Sequence, residues 1–396
     1  MAKTTTSPTS SEDKKAKKST KTTKKQKHKT RQAFDRIASA WGSDIATRGV
    51  QKKPVPYWST GIASLDIATT IGGYPRSCVI EIFGPNQAGK TALALAAMAQ
   101  VARFDGRPSL FLDLEAETTS KWMLTHGMDL EKIDHIKMLP PGKKKGFEGI
   151  PSGEALIDAV VEMIQEGEYG FIVLDSVASL LPSTLVGKPL EDSKARGLHS
   201  GFIGDALKHI VPIMAKTETC MIAMNQIRMN ANATFGNPEY TTGGLALAHY
   251  KVMSVRVSKS DQESKKADRP GAERKLKIIK NKKGEPFGEA KVFLHRKLGL
   301  MVYEDLFLTA LRLGVIARTG KKSASEKYRC EAMSTDINLD TFATDAAADP
   351  VFLRELWDVT VAKGLKRFED GTNEDEVEDP EEEEVLDELG DEEDLD

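Results

Sequence analysis

Cysteine is scarce in this 396-residue chain: Cys78, Cys220 and Cys330 are all there is. The number is odd and the spacing fits no metal motif, so neither a disulfide framework nor a cysteine zinc site is expected. The three read as reduced thiols of a cytosol-like compartment. No run of eighteen apolar residues occurs, so no membrane-spanning helix is expected. Residues 1–30 lack the apolar segment of a secretory signal. These absences predict a cytoplasmic protein with no membrane partner.

Charge of one sign is also missing locally. Residues 369–396 carry eighteen Asp or Glu and no Lys or Arg, while residues 1–31 carry eleven Lys or Arg against Glu12 and Asp13. Taking the eighteen tail acids away from the net −3 leaves +15 on residues 1–368. A basic body beside an acidic tail suits a polyanion-binding protein whose tail competes for the same surface. Two solubilising tails, too polar to build a core, fit the same charges equally well.

Hydrophobic residues make up 40% of the chain, enough for a large domain and a smaller one. Four apolar runs read as strands: "VIEIFG" (79–84), "SLFLD" (109–113), "FIVLD" (171–175) and "CMIAM" (220–224). Helix-like stretches lie between them, as at Lys90 to Phe104 and Glu154 to Gln165. Wholly apolar strands alternating with helices predict an α/β fold with a mostly parallel sheet covered on both faces. Three later runs alternate instead: "KVMSVRV" (251–257), "RKLKIIK" (274–280) and "EAKVFLH" (289–295). They predict an antiparallel extension with a half-exposed face. Residues 305–366 read as a small helical or mixed domain that ends on "DPVFLRELWDVTVAKG". Upstream, "RQAFDRIASAW" (31–41) puts Phe34, Ile37, Ala38 and Trp41 on one helical face, followed by the linker "KKPVPYWST". No internal repeat is present.

The motif "GPNQAGKT" comprises Gly84, Pro85, Asn86, Gln87, Ala88, Gly89, Lys90 and Thr91, a full GxxxxGK[ST] match. It closes a strand and opens an Ala-rich helix, the context a phosphate loop requires. Its glycines let successive N–H groups turn inward on phosphate oxygens, and the helix N-terminus adds positive potential. Lys90 would reach the β- and γ-phosphates of ATP, and the Thr91 hydroxyl would ligate Mg²⁺. Asp175, ending "FIVLD", would set a carboxylate beside that ion. Past the strand "SLFLD", Glu115 is placed to polarise an attacking water, with Glu117 and Asp113 as competitors. After the strand 220–224 comes "MNQIRMNANATFGNPEYTTGGLA" (224–246), a long stretch with no helical or strand period. Loops of that length are functional or disordered more often than not.

With these segments in view, the chain resembles the RecA family of DNA recombinases, of the bacterial type, over roughly residues 31 to 365. "STGIASLDIATTIGGYPRSCVIEIFGPNQAGKT" resembles the family's entry into its phosphate loop, and "DSVASLLP" its metal-carboxylate strand. "NQIRMNANATFGNPEYTTGG" resembles its second DNA-binding loop, and "IIKNKKGEPF" a segment with two lysines. Phosphate loops are widespread; the last two segments together are far more specific. The resemblance implies a RecA-like P-loop ATPase core with a small C-terminal α/β domain. It divides the chain into a disordered basic tail (1–30), a polymerisation helix and linker (31–60), the core (61–304), a C-terminal domain (305–366) and a disordered acidic tail (367–396). DNA-binding loops fall near 187–200 and 226–244.

The same resemblance assigns roles. Glu115 matches the catalytic glutamate, acting with Lys90 and with Gln226, the residue that senses the γ-phosphate. Trp122 falls where the family stacks an aromatic on adenine, although a core Trp on a helix face fits too. Thr119 stands where the family often has an acid. Lys280 and Lys282 match lysines that reach a neighbour's nucleotide. The DNA contacts fall on Arg196, Gly197, Lys208, Arg228, Met229, Asn230, Ala231, Asn232, Thr242, Gly243 and Gly244. Ala231, Leu245 and Gly201 depart from the family pattern and imply fewer phosphate contacts, which the Lys-rich segment 1–30 would offset. Those departures and the tails fit a phage-encoded version.

The function implied is a DNA-dependent ATPase of recombination and DNA repair. It would form a helical homo-oligomeric filament on single-stranded DNA and pair that strand with homologous double-stranded DNA. Two alternatives stay open: another motor or regulatory ATPase on the same core, or a non-catalytic coat of single-stranded DNA.

Overall fold

The computed structural model describes residues 31–40, 54–137, 152–185, 193–229, 239–260, 269–319, 327–339 and 341–369. The chain divides into two compact units, Met1–Pro54 and Val55–Asp396. In the first, residues 31–40 form helix α1, with Phe34 and Ala38 half-buried and Ile37 exposed. Trp41 lies outside the described residues, as do 1–30 and 370–396.

The second unit opens with β1 (Tyr57–Trp58), α2 (Ala63–Ala68) and β2 (Tyr74–Pro75). Next come β3 (Val79–Gly84), α3 (Lys90–Asp105), β4 (Ser109–Asp113), α4 (Ser120–Thr125), β5 (Ile133–Lys137) and α5 (Gly153–Gln165). They are followed by β6 (Phe171–Asp175), α6 (Ser193–Thr217) and β7 (Cys220–Gln226). A short ribbon, β8 (Arg228–Met229) with β9 (Glu239–Tyr240), leads to α7 (Gly244–Tyr250). The chain continues as β10 (Lys251–Lys259), β11 (Gly271–Asn281), β12 (Glu289–His295) and β13 (Gly299–Leu300). It ends with α8 (Val302–Arg312), β14 (Ile316–Arg318), β15 (Lys327–Cys330), β16 (Thr335–Asn338), α9 (Phe342–Ala348) and α10 (Pro350–Glu369).

Among the described residues, nine strands form one sheet in the order β13-β12-β11-β10-β3-β7-β6-β4-β5. The pairs from β10 through β5 are parallel, and those from β10 through β13 are antiparallel. The α/β class and the antiparallel end agree with the apolar runs. One reading is corrected: 251–257 is not simply part of the extension. β10 runs parallel to β3 on one edge and antiparallel to β11 on the other. Its alternation reflects partial exposure at Lys251, Arg256 and Ser258, not the direction of pairing. The edge strand β5, "IDHIK", is half-exposed and too polar to have stood out as a strand.

Pleating sends alternate residues of each parallel strand to opposite faces. Ile80, Ile82, Phe111, Val173 and Ile222 pack under α3, while Val79, Leu110, Leu112, Ile172 and Leu174 pack under α5 and α6. Residues 92–101 of α3 are all buried, and all but Gln100 are apolar, so the helix is enclosed around its whole circumference. A third core joins α8, α9, α10 and the sheet β14-β15-β16. Helix α2 ties it to the main sheet: Trp357 Nε1 donates to Asp66 Oδ2 at 2.9 Å, and Ser64 N to Asp305 Oδ2 at 3.1 Å. The order of the parallel strands carries the C-terminal ends of β3, β4, β6 and β7 to one edge of the sheet, where ligands of open α/β sheets bind.

Candidate nucleotide and nucleic-acid site

The phosphate loop leaves β3 at Gly84 and enters α3 at Lys90. Gly89 caps the helix at φ +98°, a left-handed conformation that a side chain would strain. Pro85, Asn86 and Gln87 are exposed and Ala88 is buried. Lys90 Nζ folds back onto the loop, donating to the carbonyls of Pro85 at 2.8 Å and Gly84 at 3.3 Å. Burial lowers its pKa, against the pull of Asp175 and Glu115.

One residue on, Thr91 Oγ1 donates to Asp175 Oδ2 at 2.9 Å. Burial pushes Asp175 up to about 6; the Thr91 hydrogen bond and Lys90 work against that, while Glu115 and Asp113 add to it. Glu115 Oε1 accepts from Ser176 Oγ at 2.6 Å and sits 3.5 Å from Gln226 Nε2. The ends of β3, β4, β6 and β7 therefore bring Lys90, Thr91, Asp175, Glu115 and Gln226 together. The competitors separate from Glu115. Asp113 is buried and accepts the amides of Glu117 and Thr118 at 3.3 and 3.1 Å, bracing the loop. Glu117 is exposed. Trp122, half-buried on α4, meets the main core on one side and His126 edge-on at 4.4 Å on the other. Thr119 caps α4, its hydroxyl accepting from Trp122 N at 3.2 Å.

The stretch after β7 is not patternless at its base. Arg228 pairs with Tyr240 and Met229 with Glu239 in the β8–β9 ribbon, and Arg256 Nη2 holds Glu239 Oε1 at 2.9 Å. Two pairs are too few to give a strand period, which is why the sequence conceals them. Asn230, Ala231 and Asn232 lie outside the described residues. Beyond the ribbon stand Thr242, then Gly243 at φ +89° as the cap of α7, then Gly244. Leu245 is 77% exposed on α7.

The first expected loop, 187–200, is corrected in part. From Ser193 onward it is helix α6, which carries Arg196, Gly197 and Gly201. Lys208, farther along α6, is exposed and paired with Asp205 at 2.7 Å. Among the described residues, no cluster of three or more His, Cys, Asp or Glu is arranged to hold a metal by itself.

The comparisons with known proteins bear on this geometry. The family model of the RecA N-terminal domain matches residues 28–300. Protein RecA of Thermotoga neapolitana is 33% identical over 297 residues, spanning 73% of this chain and 79% of that protein. Protein RecA of Thermotoga maritima is 33% identical over 73% of this chain and 78% of its own length. Protein RecA of Borrelia hermsii is 33% identical over 66% and 70%.

The chain belongs to the RecA family.

It is thereby placed among the DNA-dependent ATPases of recombination and repair. Against that RecA-family background, Lys280 and Lys282 take an unforeseen position. Their Nζ atoms donate to the carbonyls of Ala248 and His249, each at 2.8 Å, closing the C-terminal end of α7. Ser176, the second holder of Glu115, was also unforeseen; its only signal was adjacency to Asp175. No described helix is long and apolar enough to cross a membrane.

Proposed function

We propose that this RecA-family recombinase binds ATP with Mg²⁺ at the phosphate loop. Hydrolysis then times its grip on single-stranded DNA within a cytoplasmic filament of identical copies. There the bound strand is paired with homologous duplex. Lys90 exchanges the carbonyls of Gly84 and Pro85 for β- and γ-phosphate oxygens. The donor set fits magnesium, because a hydroxyl and a carboxylate 2.9 Å apart offer only oxygen. Thr91 and Asp175 would hold the ion, which when bound neutralises phosphate charge. Glu115 takes a proton from the attacking water while Ser176 and Gln226 fix its carboxylate.

The nucleic-acid path runs over Arg228, Met229, Asn230, Ala231, Asn232, Thr242, Gly243 and Gly244, with Arg196, Gly197 and Lys208 contributing from α6. Its phosphates meet cations and glycine N–H groups, and base pairing between strands supplies sequence recognition. Lys280 and Lys282 leave the end of α7 to reach a neighbouring copy's nucleotide, and α1 packs on the next copy. Head-to-tail contacts of this kind extend into an open helix.

The observation that carries the reading is the side chain of Gln226. It ends β7, lies 3.5 Å from Glu115 Oε1 and stands two residues before the ribbon. Whatever moves it at the triphosphate moves the root of the loop, and DNA must act on ATP in return. ATP hydrolysis measured with and without single-stranded DNA is the test. Stimulation by DNA that Gln226→Ala removes is the expected result. Hydrolysis indifferent to DNA would point to a regulatory motor, and binding without hydrolysis to a coat.

A further inference from the structure

Strand β3 carries one acid among apolar residues, Glu81, three positions before the phosphate loop. Its side chain is fully buried on the same sheet face as Val79, the face whose core includes Leu247 of α7. A carboxylate so placed needs partners, and four donors converge on it. Oε1 accepts from Asn225 Nδ2 at 2.9 Å and from Thr241 Oγ1 at 2.8 Å. Oε2 accepts from Ser254 Oγ at 2.8 Å and from the ammonium of Lys251. Burial alone would raise its pKa, but Lys251's charge and the hydrogen bonds from Lys251, Asn225 and Thr241 hold it below the ordinary glutamate value.

The identity of those partners is informative. Asn225 stands immediately before Gln226, at the entry to the nucleic-acid loop. Thr241 is the first residue beyond the ribbon, at its exit. Lys251 follows α7 directly and opens β10. Entry and exit are also tied to each other: Asn225 Nδ2 donates to the Thr242 carbonyl at 3.1 Å, and the Thr242 hydroxyl donates back to Asn225 Oδ1. A buried ion pair is often no better for stability than an apolar pair of similar volume, so stability alone gives little reason for one here.

We infer that Glu81 is a positioning residue that fixes both roots of the nucleic-acid loop to the strand bearing the phosphate loop, and so sets how strongly DNA stimulates ATP turnover. The inference rests on the function proposed above. DNA held by the loop acts on its roots. Roots held by one carboxylate on β3 pass that action to Gln226 and the phosphate loop, whereas loose roots absorb it.

The test uses the full chain and two double variants. Glu81→Met/Lys251→Met removes the clamp without leaving an unpaired charge. Glu81→Gln/Lys251→Met restores an acceptor for Asn225 and Thr241. In the first, stimulation of ATP hydrolysis by single-stranded DNA should fall at least about 5-fold, the lower end of ordinary coupling between sites. Affinity for a slowly hydrolysed triphosphate analogue without DNA should stay within about twofold, and the glutamine variant should recover most of the stimulation. If the first variant does not fold, Thr241→Val, which deletes a single donor, takes its place with a smaller loss of the same kind. Unchanged stimulation overturns the inference, as does a parallel loss of analogue affinity, which marks a purely structural role. A parent protein that DNA does not stimulate would overturn the proposed function, and this inference with it.

Discussion

The sheet beneath α7 and the seam beneath α10 each bury a carboxylate completely, and the two are not alike. Glu81, in the sheet, has an ammonium among its four donors and is held below the ordinary glutamate value. Asp66, in the seam, has only neutral donors: Ser59 Oγ at 2.6 Å, Thr60 N at 2.7 Å and Trp357 Nε1 at 2.9 Å. There burial prevails and pushes it up to about 7. Asp305, served by the hydroxyl and amide of Ser64, follows Asp66 and lies at about 6. Equal burial thus gives opposite outcomes, and the charge of the partner decides. The sheet under α7 holds a fixed pair of charges, while the seam holds acids that take up protons near neutrality.

The largest expected effect concerns an acid of a third kind, Glu115, proposed above to act on the attacking water. Glu115→Gln should slow DNA-stimulated hydrolysis by about 10²–10⁴-fold, the usual worth of a general base. Triphosphate and DNA affinity should persist, as read by fluorescence anisotropy. Loss of triphosphate binding along with turnover would remove Glu115 from that role. The comparison itself is attacked next. Lys251→Met strands Glu81 as a buried charge and should cost about 3–5 kcal/mol in urea unfolding at neutral pH. Asp66→Asn keeps a neutral hydrogen-bonding group in place and should cost about 1 kcal/mol. Equal costs would mean that the cation is not what separates the two regions.

The parallel strands and the phosphate site were legible because their signals are local. An apolar run of five or six residues, then a loop motif, then an Ala-rich helix can hardly be built another way. Gln226 and Glu115 were placed by family pattern; their 3.5 Å proximity depends on the order of strands β4, β6 and β7, which no single segment encodes. The ribbon at the loop's base was hidden by its two-residue strands, and β5 by its exposure. Helix α6 was mistaken for a loop at its start because Gly197 and Gly201 break the usual helix composition. Glu81 was visible as an acid in an apolar strand, yet its donors come from more than a hundred residues away. The contacts of Lys280 and Lys282 with the end of α7 stayed hidden because a helix end built by distant residues cannot be read from a strand.

The smallest effect is one of pH, and its sign follows from the seam. Asp66 lies at about 7 in the fold against an ordinary 3.8. A raised carboxylate contributes stability that is full below its ordinary value and is lost as pH rises through the folded value. The Asp66 contribution should therefore fall as pH climbs from about 5.5 to about 7, by at most about 1.4 kcal/mol per pH unit, and level off above that. Glu81, lowered by its lysine, has the opposite sign and is lost only as pH falls through its folded value, so it stays constant across this window. His126 and His199, lowered chiefly by burial, push the whole-chain curve upward with pH. The readout is accordingly the difference in melting temperature between the parent chain and Asp66→Asn. Asparagine cannot titrate, so the parent should lose stability relative to the variant by about 2–4 °C per pH unit at most. A constant difference across the window would mean that Asp66 is ionised throughout, and that neutral donors can hold a buried charge as well as Lys251 does.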